Sequence, residues 1–231
     1  MCIRDRPKIA MYVKRPFGEK LNASFDFLKE NWKLLLKFIT YLLLPLCLIQ
    51  ALSLNGLMSG ALSISAIASS TAMAASSSSL IAFGSYYGLY MFLYLIGIIL
   101  LTSLVYGLIR TYNEREERLQ GVTLGMLKPR LFRNIKRLLL MTGACILLVL
   151  FVGIFVGLLV ALTPFTLFLT IPFIIAFSVP LALLAPIYLF EDITLMEAFK
   201  KTFRLGFATW GGVFLVSLLM GIIANVLQGV T

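Results

Sequence analysis

Long apolar runs separated by short charged segments set the pattern of this chain. Five runs are long enough to cross a bilayer: residues 34–54, 80–109, 138–162, 165–190 and 213–230. A hydrocarbon core of about 30 Å needs about 20 helical residues at a rise of about 1.5 Å. The pattern therefore predicts an all-α fold, a polytopic membrane helical bundle with five spans. The run 80–109 exceeds the required length and is expected to tilt or project. Only Thr163-Pro164 separates the third and fourth runs, which predicts a tight antiparallel hairpin.

The polar positions orient these runs. Residues 1–37 hold nine Lys/Arg and four Asp/Glu, residues 110–137 eight and three, and residues 191–204 three and three, together every charged residue in the chain. The connections 55–79 and 163–164 carry none. Basic segments stay cytoplasmic, so the N-terminus is expected inside and the end of the fifth run outside. Residues 55–79, with nine serines and six alanines, read as an external loop, with a re-entrant helix or a sixth span as alternatives. A sixth span there would put eight basic residues on the wrong side, so the external loop is preferred.

The cytoplasmic segments share a helical pattern. Residues 19–32 and 197–210 align at an offset of 178: Glu19 with Glu197, Ser24 with Thr202, Phe25 with Phe203 and Trp32 with Trp210. A weaker third copy aligns Val122-Thr123-Leu124 with Ile193-Thr194-Leu195 at an offset of 71. Leu21, Phe25, Leu28 and Trp32 recur at helical spacing, as do Leu127, Leu131, Ile135 and Leu138, and Phe199, Phe203, Phe207 and Trp210. Thr194-Leu-Met-Glu197 reads as a capping box, and Pro129 is expected to kink or shift the middle helix. These features predict three cytoplasmic amphipathic interfacial helices, each turning up into a span. Phe25, Trp32, Glu197, Phe203 and Trp210 are their candidate residues, and membrane lipids their expected partner. The repeat units would run over 17–109, 122–190 and 193–231. The last stops after one span, so a sixth span is expected beyond Thr231.

The pattern Glu–Ala–x–x–x–Ser/Thr–Phe…Trp before a span, present at Glu197–Trp210, resembles that of uncharacterised six-span bacterial membrane proteins. It is also similar to the membrane domains fused to glycerophosphodiester phosphodiesterases. The resemblance is strongest over residues 185–225. It implies an α-helical bundle with cytoplasmic amphipathic helices and no enzymatic activity for this chain, which lacks a phosphodiesterase domain and its metal ligands.

Composition narrows the function classes. Mean hydropathy is +0.98 over 231 residues, with 60% hydrophobic and 13% charged residues. A soluble domain carries roughly a quarter charged residues, so one membrane domain over 11–231 is the economical reading. The net charge of +10 follows from span orientation, and no nucleic-acid partner is expected. Histidine is absent, removing the commonest general base and metal ligand. Cys2, Cys47 and Cys145 have neither disulfide nor metal spacing. Met1-Cys-Ile-Arg-Asp-Arg6 resembles adapter read-through from metagenomic assembly, so residues 1–10 are expected to be an artefact outside the fold.

The spans contain no charge in their interiors. Gln50 and the tyrosines Tyr86, Tyr87, Tyr90 and Tyr94 are the polar candidates. Gln50, Tyr90 and Tyr94 would line a cavity if one exists, although an aromatic belt or simple packing explains the tyrosines as well. Gly84…Gly88 and Gly153…Gly157 permit close helix approach, read as intramolecular packing over dimerisation. Pro172, Pro180 and Pro186 mark kinks or a hinge in the fourth run. Glu191-Asp192 either is solvated, pairs with Arg130 or Arg133, or binds a cation. No catalytic motif and no cofactor or metal site emerges. The expected role is a non-catalytic inner-membrane scaffold or partner subunit, with a protein partner in the membrane possible. The alternative is a transporter or permease component for a neutral or lipid-like substrate; a lipid-modifying enzyme would need residues this chain does not show.

Overall fold

The computed structural model describes residues 8–10, 13, 15–69, 77–163 and 165–229. The fold is all-α, and no strand occurs among the described residues. The described residues form seven helices in order: α1 (Phe17–Ser69), α2 (Ser77–Glu114), α3 (Leu124–Leu162), α4 (Thr166–Leu181), α5 (Leu184–Phe190), α6 (Leu195–Ala208) and α7 (Trp210–Gly229). Among the described residues, four stretches are long and apolar enough to cross a membrane: Phe17–Leu62, Ile81–Glu114, Leu124–Leu162 and Thr166–Phe190. A fifth forms if α6 and α7, bent by 90° at Thr209, are taken together. The chain divides into two compact units, Met1–Ile135 and Lys136–Thr231.

The first unit is built on an antiparallel α1–α2 hairpin. At 53 residues, α1 is a rod of about 80 Å. Glycines of one helix receive large side chains of the other: Gly56 lies against Tyr86, Gly60 against Phe83, and Gly97 against Leu46. The residue numbers of each pair add to 142 or 143, so the register is constant along the hairpin. The serine- and alanine-rich segment is helical through Ser69 and again from Ser77. The loop expected over 55–79 is thus mostly helix, because alanine favours helix and the glycines dock a partner. Residues 70–76 lie outside the described residues.

The first and middle amphipathic segments also differ from expectation. Residues 17–32 are the opening turns of α1, and residues 124–138 the opening turns of α3. Neither is a separate helix that turns before its span. Pro129 falls inside α3 without ending it. It sits near the helix start, where the bond it forgoes is to Gly125, the second helical residue.

The base of the hairpin is a buried clasp. Phe27, Leu35 and Phe38 of α1, Leu104, Leu108 and Tyr112 of α2, and Leu119, Val122 and Leu127 form one core. Arg118, in the left-handed region at φ 60°, donates to Glu30 at 2.6 Å, and Tyr112 donates to the same carboxylate at 3.2 Å. Lys8 donates to the carbonyls of Asn113 (2.7 Å) and Arg115 (3.2 Å), and the Ile9 N–H donates to the Tyr112 hydroxyl. Lys8 and Ile9, expected to lie outside the fold, are therefore seated on the end of α2, where a cation meets unsatisfied carbonyls.

In the second unit the short connection between α3 and α4 is present, but α4 packs on α6 and α7, and α5 on α6. The three prolines of the fourth run yield one break, at Ala182-Leu183. Pro186 cannot donate to the Ala182 carbonyl, and the chain tightens there through Leu183 N–H to the Pro180 carbonyl at 2.9 Å. Gly153 and Gly157 meet nothing within 4 Å of an added Cβ, nor do Gly84 and Gly88. The close approaches fall at other glycines, so the intramolecular packing expected of these pairs is not formed.

Candidate membrane-surface site

Helix α6 is strongly amphipathic, and its start is fixed locally. Thr194 is extended and caps the helix: the Glu197 N–H donates to Thr194 Oγ1 at 3.4 Å, and the Thr194 N–H donates to Glu197 Oε2 at 3.1 Å. The capping box read from the sequence is formed. The Thr194 backbone N–H, then its side chain, hold the Glu197 carboxyl below the usual carboxylate range. Glu197 thus occupies the helix start itself.

Three faces of α6 have separate roles. Ala198, Thr202 and Gly206 recur every four residues and are buried. A Cβ at Gly206 would come 2.6 Å from Pro180 Cα, so only glycine permits α6 to lie this close to α4. Beside this stripe runs an aromatic ladder, Phe199–Phe203–Phe207, with successive ring centroids 6.1 Å apart. Phe177 of α4 wedges edge-on against Phe203 at 5.8 Å and Phe207 at 5.6 Å. Each such pair contributes about 0.5–1.5 kcal/mol beyond burial. The third face carries Lys200, Lys201 and Arg204.

The elbow into α7 is locked by one hydrogen bond. Pro180 has no N–H, so it cannot donate to the carbonyl four residues earlier, that of Ala176. The indole Nε1 of Trp210 donates to that carbonyl instead, at 3.1 Å, while its ring stacks on Phe214 at 4.9 Å. In an apolar setting an orphan carbonyl costs about 1–3 kcal/mol, which Trp210 offsets. The Oγ1 of Thr202 is buried without a hydrogen-bond partner.

The turn before α6 is held by ion pairs. Asp192, left-handed at φ 53°, accepts from Arg137, which also donates to the Ile193 carbonyl at 2.7 Å and lies 4.3 Å over the Tyr188 ring. Glu191 accepts from Lys201 at 2.6 Å. Arg137 and Lys201, which the sequence did not single out as partners, thus hold these two carboxylates. Arg130 binds Glu114 and donates to Thr111 Oγ1 at 3.1 Å.

Of the residues singled out in the sequence, Glu197, Phe203 and Trp210 come together on α6 and its elbow. Phe25 and Trp32 lie exposed on α1. Gln50 of α1 and Tyr90 and Tyr94 of α2 fall on facing stretches of the hairpin by its register, with Gln50 and Tyr90 partly buried and Tyr94 half exposed. Gly206 and Arg137 escaped the sequence reading, and Pro180 was read there only as a kink or hinge. A proline leaves an acceptor four residues back, and that was the available signal for Trp210. Among the described residues, no group of three or more His, Cys, Asp or Glu forms that could hold a metal ion. No family model, curated protein or solved structure matches the chain.

Proposed function

We propose that this chain is a non-catalytic scaffold or partner subunit of a bacterial cytoplasmic membrane, with the N-terminus inside and α6 lying on the inner leaflet. The reading assigns it no reaction of its own. One observation carries it: α6 is amphipathic, self-capped and set at 90° to the apolar α7. A helix at right angles to a span lies in the plane of the bilayer, where its aromatic flank meets the headgroup boundary and its charges meet water. Met196 and Phe207 are exposed beside that flank, as lipid contacts should be. The confinement of all charge to three segments supports the orientation. The three segments at offsets of 178 and 71 support an internal repeat, and Gly121 and Asp192, both left-handed, occupy equivalent places before Thr123 and Thr194. The most apolar stretch of α3 has no residue buried by the chain itself, which suits contact with lipid or another membrane protein.

Nitroxides placed singly at Met196, Phe207 and Arg204 in the reconstituted protein test this reading. Positions 196 and 207 should relax with membrane-dissolved oxygen and position 204 with a water-soluble reagent. Water exposure at all three, or oxygen at all three, would remove the surface helix.

A further inference from the structure

We infer that Lys200 and Arg204, and not Lys201, form a binding site on α6 for the phosphate of an anionic phospholipid headgroup. The inference rests on the reading of α6 as a membrane-surface helix and adds which lipid it selects and through which residues. Three cations lie on α6, but the structure gives them different work. Lys201 is committed to Glu191 at 2.6 Å, bracing the turn into the helix. At about 100° per residue, Lys201 also lies on the flank of the buried stripe that the phenylalanines do not occupy. Lys200 and Arg204 are one turn apart and exposed, and the same spacing puts both at the edge of the aromatic flank. Lys200 neighbours Met196 and Phe203, and Arg204 neighbours Phe207.

Charge and apolar surface therefore meet along one line. Met196 and Phe207, both half exposed or more, suit the acyl boundary, and the two cations stand beside them at headgroup height. The acidic group nearest this line is Glu197. Its carboxylate is engaged with the Thr194 N–H at 3.1 Å, and Lys200, one turn away, adds a smaller pull that helps hold it ionised. Arg204 is two turns from Glu197 and offers the planar fork that pairs with phosphate oxygens. A zwitterionic headgroup brings its own cation to the same place, so the site favours a headgroup with net negative charge.

The test uses the full chain with Trp32→Phe, so that Trp210 is the sole indole. It is reconstituted into phosphatidylcholine vesicles containing phosphatidylglycerol, with identical brominated acyl chains on one lipid or the other. Trp210 should be quenched preferentially by brominated phosphatidylglycerol, less so at high salt. Each of Lys200→Gln and Arg204→Gln should lower that preference about fivefold, and Arg204→Lys should restore part of it. Lys201→Gln should leave it unchanged, with helix content confirming that all variants fold. Equal loss in Lys201→Gln, or equal quenching by both lipids in the parent, overturns the site. The two readings fail separately. A nitroxide at Met196 still in lipid while quenching shows no preference removes only the headgroup site; Met196 in water removes the surface helix itself.

Discussion

The segments ending at Trp32 and Trp210 align at one offset, yet the first runs straight into its span and the second turns through 90°. Part of the machinery is shared. Asn31 donates to the Phe27 carbonyl at 3.0 Å, and Thr209, its counterpart, donates to the Leu205 carbonyl at 2.8 Å. The difference begins one residue later. Lys33-Leu34 follow Trp32, whereas Gly211-Gly212 follow Trp210, and glycine weakens a helix by about 1 kcal/mol per residue. The buried faces differ too. Phe27, Asn31, Leu35 and Phe38 are buried in α1, whereas α6 buries Ala198, Thr202 and Gly206. Large residues dock α1 along α2; small ones let α6 cross α4. A similar amphipathic pattern thus gives a rod or an elbow, according to which face is small and whether glycines follow.

Importing the first segment's residues into the second tests this most severely. With Thr209→Asn, Gly211→Lys and Gly212→Leu, α6 and α7 should tend to merge. The separation between nitroxides at positions 196 and 224 of a cysteine-free chain should rise from about 28 Å to about 42 Å by double electron–electron resonance. An unchanged distance would assign the elbow to packing alone. Gly206→Leu should cost about 3 kcal/mol in denaturant titration, because the α4 backbone at Pro180 must move. Leu28→Gly, the reciprocal change in α1, should cost only about 1 kcal/mol of helix propensity. Trp210→Phe should cost about 2 kcal/mol by orphaning the Ala176 carbonyl, against a few tenths for Trp32→Phe at an exposed site; equal costs would break the distinction between the two tryptophans. The smallest effect is expected at Thr202→Val. It removes a hydroxyl that bonds nothing and should be neutral or stabilising by up to about 1 kcal/mol in thermal melts. A clear loss there would give that hydroxyl a role the packing does not show.

Local rules read well from this sequence. The capping box at Thr194 and Glu197 follows from spacing, and the ladder of Phe199, Phe203 and Phe207 from helical periodicity. Apolar length identified the first four spans. Features that depend on a partner were hidden. Residues 55–69 look like a loop because serine and alanine lack bulk, yet their glycines dock Tyr86 and Phe83. The 90° elbow had a local sign in Thr209 and the two glycines. Its lock did not, since joining Trp210 to Ala176 requires knowing which turn of α4 faces the indole. Arg137 was likewise one of eight cations in its segment, and only the fold brings it to Asp192.

The hydrogen bond between Trp210 and Ala176 also bears on the order of biosynthesis. The acceptor leaves the ribosome 34 residues before its donor. Until the donor arrives, α4 enters the bilayer with a carbonyl that its own helix cannot satisfy. That carbonyl gains its partner only when the later elbow folds back onto α4. A chain interrupted between the two would keep that acceptor unpaired.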